Sequence, residues 1–136
     1  MSKTQAHVMI VEDERATADV IAFNLESRGY STDICLDGDE ALRKLVEKRP
    51  DLMILDINMP GVSGWEVLDL LPNDEDLASV PVIILSGRDT SVDITTGWNY
   101  EIVTYFTKPF EMRELLEFVD RVLRGEGDDE GEADAS

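Results

Sequence analysis

Short apolar runs alternate along this chain with stretches whose apolar residues recur at helical spacing, and that alternation restricts the fold more than any other feature. Residues 7–11 (HVMIV) form a compact apolar run. After three acids, Ala16, Val20, Ile21, Phe23 and Leu25 then follow at helical spacing until Gly29. Residues 30–36 read as a second strand, Asp37 and Gly38 as a turn, and Ala41, Leu42, Leu45 and Val46 as the apolar positions of a helix that stops before Pro50. Residues 52–55 (LMIL) are apolar without a break, as a strand covered on both faces requires, and Asp56 stands just past their end. Trp65, Val67, Leu68 and Leu71 mark a third helix, and residues 81–85 (PVIIL) a fourth strand. The fourth helix, over residues 91–100, is the weakest, because Thr95, Thr96 and Gly97 are poor helix formers. Residues 102–106 read as a fifth strand, and from Glu111 the spacing of Leu115, Leu116, Phe118, Val119, Val122 and Leu123 predicts an amphipathic closing helix.

Five strands alternating with five helices predict an α/β fold, a doubly wound parallel sheet with helices on both faces and right-handed crossovers. In such sheets ligands bind beyond the carboxyl ends of the strands. Four polar segments fall there: Glu12-Asp13-Glu14, Asp56, Ser86-Gly87-Arg88 and Lys108-Pro109. The folded domain is expected over residues 1–124. Residues 125–136 (GEGDDEGEADAS) hold six acids, no base and no large apolar residue, the composition of a disordered tail.

Charge narrows the function classes. Thirty acids against 12 bases give a net charge of -18, which opposes binding to nucleic acid or to anionic lipid. No apolar run reaches the roughly 20 residues of a membrane span, and the first residues lack a signal-peptide core, so the expected location is the cytoplasm. Cys35 stands alone between Ile34 and Leu36 and reads as a structural thiol. His7, at a strand start, reads as incidental.

The strand-end groups suit one chemistry. Carboxylates at the ends of the first and third strands repel if they converge, which should raise at least one folded-state pKa, and a hard divalent cation relieves that cost. Mg2+ takes oxygen ligands and fits one or two carboxylates plus a substrate phosphate. A carboxylate can also attack phosphorus to form an acyl phosphate, with a cation such as Lys108 meeting the phosphoryl charge and Ser86 offering a hydroxyl.

With these segments in place, the sequence resembles the receiver domains of two-component response regulators over residues 6 to about 124. The matching stretches are VMIVEDE (8–14), LMILDINMPGVSGWEVL (52–68), VIILSGRD (82–89) and YFTKPF (105–110). The resemblance implies a flavodoxin-like sheet of order 2-1-3-4-5. It implies that Asp56 is the phosphoacceptor and that Mg2+, or Mn2+, is held by Asp13, Glu12, Asp56 and the backbone carbonyl of Asn58. It further implies Lys108 as the phosphate-pairing lysine, Ser86 as the switch hydroxyl, Tyr105 as the switch aromatic, Gly87 as a small residue leaving room for phosphate, and a cis bond before Pro109.

The partners it implies are a sensor histidine kinase or phosphotransfer protein and an unidentified downstream protein. Many receivers carry Gly-Ala-Asp-Asp where this chain has Glu101-Ile102-Val103-Thr104, and acids of that segment pair across the dimer in some DNA-binding regulators. A monomer or weak phosphorylation-dependent dimer is therefore expected. With no output domain in the sequence after residue 124, the expectation is a stand-alone regulator or phosphorelay intermediate, a signalling domain rather than an enzyme. Two other classes compete: an aspartate-nucleophile phosphohydrolase of the haloacid dehalogenase type, and a degenerate receiver that only docks. The first is disfavoured because Asp56-Ile57-Asn58 lacks the second acid of an Asp-x-Asp pattern, the second because the reactive set is complete.

Overall fold

The computed structural model describes residues 6–57, 79–86 and 102–124 of the chain. Five strands are present: β1 (His7–Val11), β2 (Ser31–Cys35), β3 (Leu52–Asp56), β4 (Val82–Ser86) and β5 (Ile102–Thr107). They pair in parallel in the order β2-β1-β3-β4-β5, the flavodoxin-like order that the resemblance implied. Three helices lie among the described residues: α1 (Arg15–Ser27), α2 (Gly38–Glu47) and α3 (Met112–Arg124). The helices expected near residues 65–71 and 91–100 lie outside the described residues, as does the tail. Boundaries differ from the sequence reading by a residue or two. β3 extends one residue further than expected, so that Asp56 is its last member, in register with Leu85.

Alternation along the strands divides the core in two. Met9, Val11, Met53, Leu55, Val82 and Ile84 point to one face, where Ala41 and Leu45 of α2 meet them. Val8, Ile10, Leu52, Ile54, Ile83 and Leu85 point to the other, under α1 (Ala18, Ile21, Leu25) and α3 (Leu115, Leu116, Val119). Because β1, β3 and β4 are completely buried on both faces, their sequences read as unbroken apolar runs.

Local signals set where the helices start and stop. Asp37 caps α2, its carboxylate accepting the Glu40 backbone N–H at 2.8 Å, while Glu40 reaches back to accept the Leu36 N–H at 3.0 Å. α1 ends at Gly29, whose φ of 97° suits a residue without a Cβ. The N–H of Tyr30 then closes on the Leu25 carbonyl at 3.2 Å and that of Gly29 on Glu26 at 3.0 Å. The corner so formed is tied to the end of α3. Asp120 accepts from Arg28 and from the Tyr30 hydroxyl, and Arg124 Nε donates to the same hydroxyl at 3.2 Å. Phe118 of α3 also packs edge-on against Phe106 of β5, with ring centroids 6.3 Å apart.

Leu115 is completely buried between α3 and the sheet. Leu115→Ala should therefore cost about 2–5 kcal/mol of unfolding free energy, the range for truncating a core leucine to alanine. Urea unfolding followed by circular dichroism would measure it, and a loss under about 1 kcal/mol would mean that α3 is not packed as described.

Candidate functional site

The parallel sheet brings its carboxyl-terminal strand ends to one edge, and the reactive side chains collect there. Glu12 follows β1 directly, its backbone N–H donating to Cys35 O of β2 at 3.0 Å. Asp56 closes β3 and Ser86 closes β4, each only 2% exposed. Lys108 follows β5, and its backbone N–H donates to Ser86 O at 2.8 Å, which fixes the lysine beside the end of β4. The Lys108-Pro109 peptide is cis.

Lys108 joins the two buried acids. Its Nζ lies 2.8 Å from Glu12 Oε1 and donates to Asp56 Oδ2 at 3.1 Å. Glu12 is completely buried, and its Oε2 accepts the Glu14 backbone N–H at 3.0 Å. Its Oε1 is in ionic contact with the lysine but is not aligned with any hydrogen-bond donor among the described residues. Asp13, exposed, completes a group of three carboxylates, each offering an oxygen within 4.8 Å of the others. Three clustered acids, all oxygen donors, match what a hard divalent cation requires.

The electrostatics follow from burial first. Withdrawal from water pushes Glu12 from 4.5 up to about 7. Lys108 and the Glu14 N–H oppose that rise, and the Asp56 charge adds to it. The direction agrees with the sequence expectation, but desolvation outweighs mutual repulsion. Burial alone would lower Lys108, yet its contacts with Glu12 and Asp56 prevail and hold it above the ordinary lysine value.

The structure thus brings Glu12, Asp13, Asp56 and Lys108 together, with Ser86 at the neighbouring strand end. Tyr105 is half-buried on β5, in register with Ile84 and packed against the core on the α2 side. Asn58 and Gly87 lie outside the described residues. One feature went unread in the sequence. A groove of about 640 Å3 opens beside Lys108, lined by Ala16 and Val20 of α1 and by Pro109, Phe110 and Met112. Val20 is 50% exposed and Phe23 69%. The signal was available, since α1 holds more apolar residues than the stripe of Ala18, Ile21, Ala22 and Leu25 that it buries.

A family model, the response regulator receiver domain, matches residues 8–120. The chain belongs to this family. Similar proteins include the sensory transduction protein RegX3 of Mycobacterium tuberculosis, 38% identical over 125 residues that make up 92% of this chain and 54% of that protein. Another is the uncharacterized transcriptional regulatory protein YkoG of Bacillus subtilis, 41% identical over 123 residues, or 90% of this chain and 53% of that one. The chain therefore spans about half the length of the curated relatives it matches. Among solved structures, the chemotaxis protein CheY4 of Vibrio cholerae superposes with a TM-score of 0.78 at 28% identity, covering 88% of this chain and 99% of that one. The receiver domain is a signalling module of two-component systems. No helix among its described residues is long and apolar enough to cross a membrane.

The position of Glu12 in this receiver domain has a consequence for stability. Its folded-state pKa lies above the ordinary value, so the folded protein holds that proton more tightly than the unfolded chain does. The stability so gained is complete below about pH 4.5 and is lost as pH rises through about 7. Glu12→Gln, which keeps the shape and cannot ionise, should flatten that decline in metal-free protein. Urea melts in EDTA across this range would show it, and wild-type and variant stabilities running parallel would contradict it.

Proposed function

We propose that this receiver domain is a phosphoacceptor: Asp56 takes a phosphoryl group from a histidine kinase or phosphotransfer protein in a Mg2+-dependent reaction, and the change is read by a downstream protein. The observation that carries this reading is Lys108 Nζ set between the buried carboxylates of Glu12 and Asp56, with Asp13 completing a three-acid cluster. A carboxylate nucleophile, a cation and a metal-binding group then share one pocket.

In the proposed step an Asp56 carboxylate oxygen forms a bond to phosphorus while the bond from phosphorus to the donor's imidazole nitrogen breaks, its electron pair staying on that nitrogen. Lys108 transfers its ammonium from Asp56 Oδ2 to a phosphoryl oxygen, and the Ser86 hydroxyl donates to another. Glu12, Asp13 and Asp56, with the Asn58 carbonyl, would hold Mg2+, which supplies neutralising charge at the phosphoryl oxygens. Gly87, next in sequence to Ser86, is the small residue assigned to leave room for phosphate, and Tyr105, one strand over, repacks when Ser86 moves. The groove along α1, apolar and next to Lys108, supports an approach of the donor from that side.

The finer reading is a cytoplasmic receiver unit over residues 1–124 with a solvated tail at 125–136. It is monomeric or weakly dimeric when phosphorylated. Asn58 in place of a second acid favours this over a phosphohydrolase.

Two variants separate the roles. Wild-type protein should gain about 2.7 kcal/mol of stability when free Mg2+ is 100 times its dissociation constant, and Asp13→Asn should lose most of that gain. Lys108→Ala should still be stabilised by Mg2+ but lose the change in tryptophan fluorescence that a small phosphodonor produces in the wild type. Loss of Mg2+ stabilisation in Lys108→Ala as complete as in Asp13→Asn would overturn the assignment, as would an unaltered fluorescence response.

A further inference from the structure

His7 lies at the opposite edge of the sheet from the phosphoacceptor site, five residues before Glu12. The alternation of β1 turns its ring to the same face as Met9 and Val11, under α2. The residue is only 6% exposed, and both ring nitrogens are engaged: Nδ1 is 2.7 Å from Ser31 Oγ, and Nε2 is 2.9 Å from Asp33 Oδ2. The charged groups around it, among the described residues, come from three elements. β2 supplies Asp33. The segment before β3 supplies Asp51, whose carboxylate accepts the His7 backbone N–H at 2.8 Å. α2 supplies Lys44, whose Nζ is 3.9 Å from Asp33 Oδ1.

The partners fix where the protons sit. An ionised carboxylate only accepts, so Nε2 carries a hydrogen and donates to Asp33. In the neutral ring Nδ1 is then an acceptor, and the Ser31 hydroxyl donates to it. That hydroxyl has a second acceptor within reach, Ala6 O at 3.4 Å, which already takes the Ser31 backbone N–H at 2.9 Å and has a lone pair to spare. The 2.7 Å contact is of normal hydrogen-bond length and the 3.4 Å contact is long, as expected if the ring holds the hydroxyl proton in the neutral state.

We infer that His7, Ser31 and Asp33 form a proton-responsive relay at the amino-terminal edge of the sheet. When His7 is neutral the Ser31 hydroxyl donates to the ring. When His7 takes a proton from solvent at Nδ1, that nitrogen becomes the donor, Ser31 Oγ accepts, and the hydroxyl turns to Ala6 O. Every buried donor and acceptor of the relay is satisfied in both states, and proton uptake adds a bond that holds the start of β1 against β2. A buried histidine beside a fixed donor would instead be left with two opposed hydrogens, a costly arrangement.

Among the described residues, Ser31 is the one partner of the ring that can reverse its role, and Ser31→Ala removes it. It leaves an unmet acceptor in the neutral state and an unmet charged donor in the protonated one, and hydrogen bonds to charged groups are roughly twice as strong as neutral ones. The melting-temperature deficit of Ser31→Ala against wild type should therefore be roughly twice as large at about pH 5 as at about pH 8. In a His7→Gln background the same deficit should be equal at the two pH values. Titration of the acidic cluster cancels, being common to both members of each pair. Nitrogen-15 chemical shifts of the wild-type ring should place the hydrogen of the neutral form on Nε2, and this measurement decides the matter even where a variant fails to fold. A neutral ring protonated at Nδ1, a deficit independent of pH, or a pH dependence that persists without His7 would each overturn the relay.

Discussion

The ammonium of Lys108, held between two buried carboxylates, is the interaction on which the rest of this site depends. Glu12 and Asp56 are withdrawn from water by the strands that end at them, and two adjacent anions there would be costly without a cation. The lysine meets that need in the structure described, at 2.8 and 3.1 Å. Among the described residues it leaves three clustered acids, Glu12, Asp13 and Asp56, beside one lysine, an arrangement that favours further positive charge. The proposed metal and the proposed phosphoryl group act on that same imbalance: one adds cationic charge beside the acids, the other draws the lysine toward new anionic oxygens.

Topology makes the arrangement possible. In a parallel sheet all strands end at one edge, and the order β2-β1-β3-β4-β5 sets β1 beside β3 and β4 beside β5. Glu12 and Asp56 therefore meet although 44 residues separate them in sequence, and Lys108 reaches both from the far end of the sheet through its flexible stem. The bond from its backbone to Ser86 O sets the base of that stem. The completely buried strands β1, β3 and β4 form a rigid platform, which places these groups more closely than loops alone would.

Much of this was legible in the sequence because burial on both faces leaves a simple trace. Residues 52–55 read as a covered strand, which puts the residue after them at a sheet end. The closing helix was equally plain, since Leu115, Leu116 and Val119 recur on one face. What could not be read was which of two apolar faces a helix turns inward. Val20, Phe23 and Val46 fit the helical spacing of the buried residues, yet lie 50%, 69% and 84% exposed. Periodicity marks a face without saying what covers it. The role of His7 is hidden in the sequence for a related reason: its partners Ser31 and Asp33 come from a neighbouring strand, and the register of β1 against β2 brings them together. Crowding implies that at least one carboxyl of the cluster is raised, but that it is Glu12, and that burial is the principal cause, depends on packing that spacing does not reveal.

The central claim is that Asp56, one of the two carboxylates paired with Lys108, is the group that receives phosphate. The most direct measurement treats the full chain with a small phosphodonor and Mg2+, traps any acyl phosphate by borohydride reduction and locates the modified residue by peptide mass spectrometry. The account predicts a single modified position, Asp56, and an unmodified Asp56→Asn variant. Modification of Glu12 or Asp13 in place of Asp56, or equal labelling of Asp56→Asn, would contradict it.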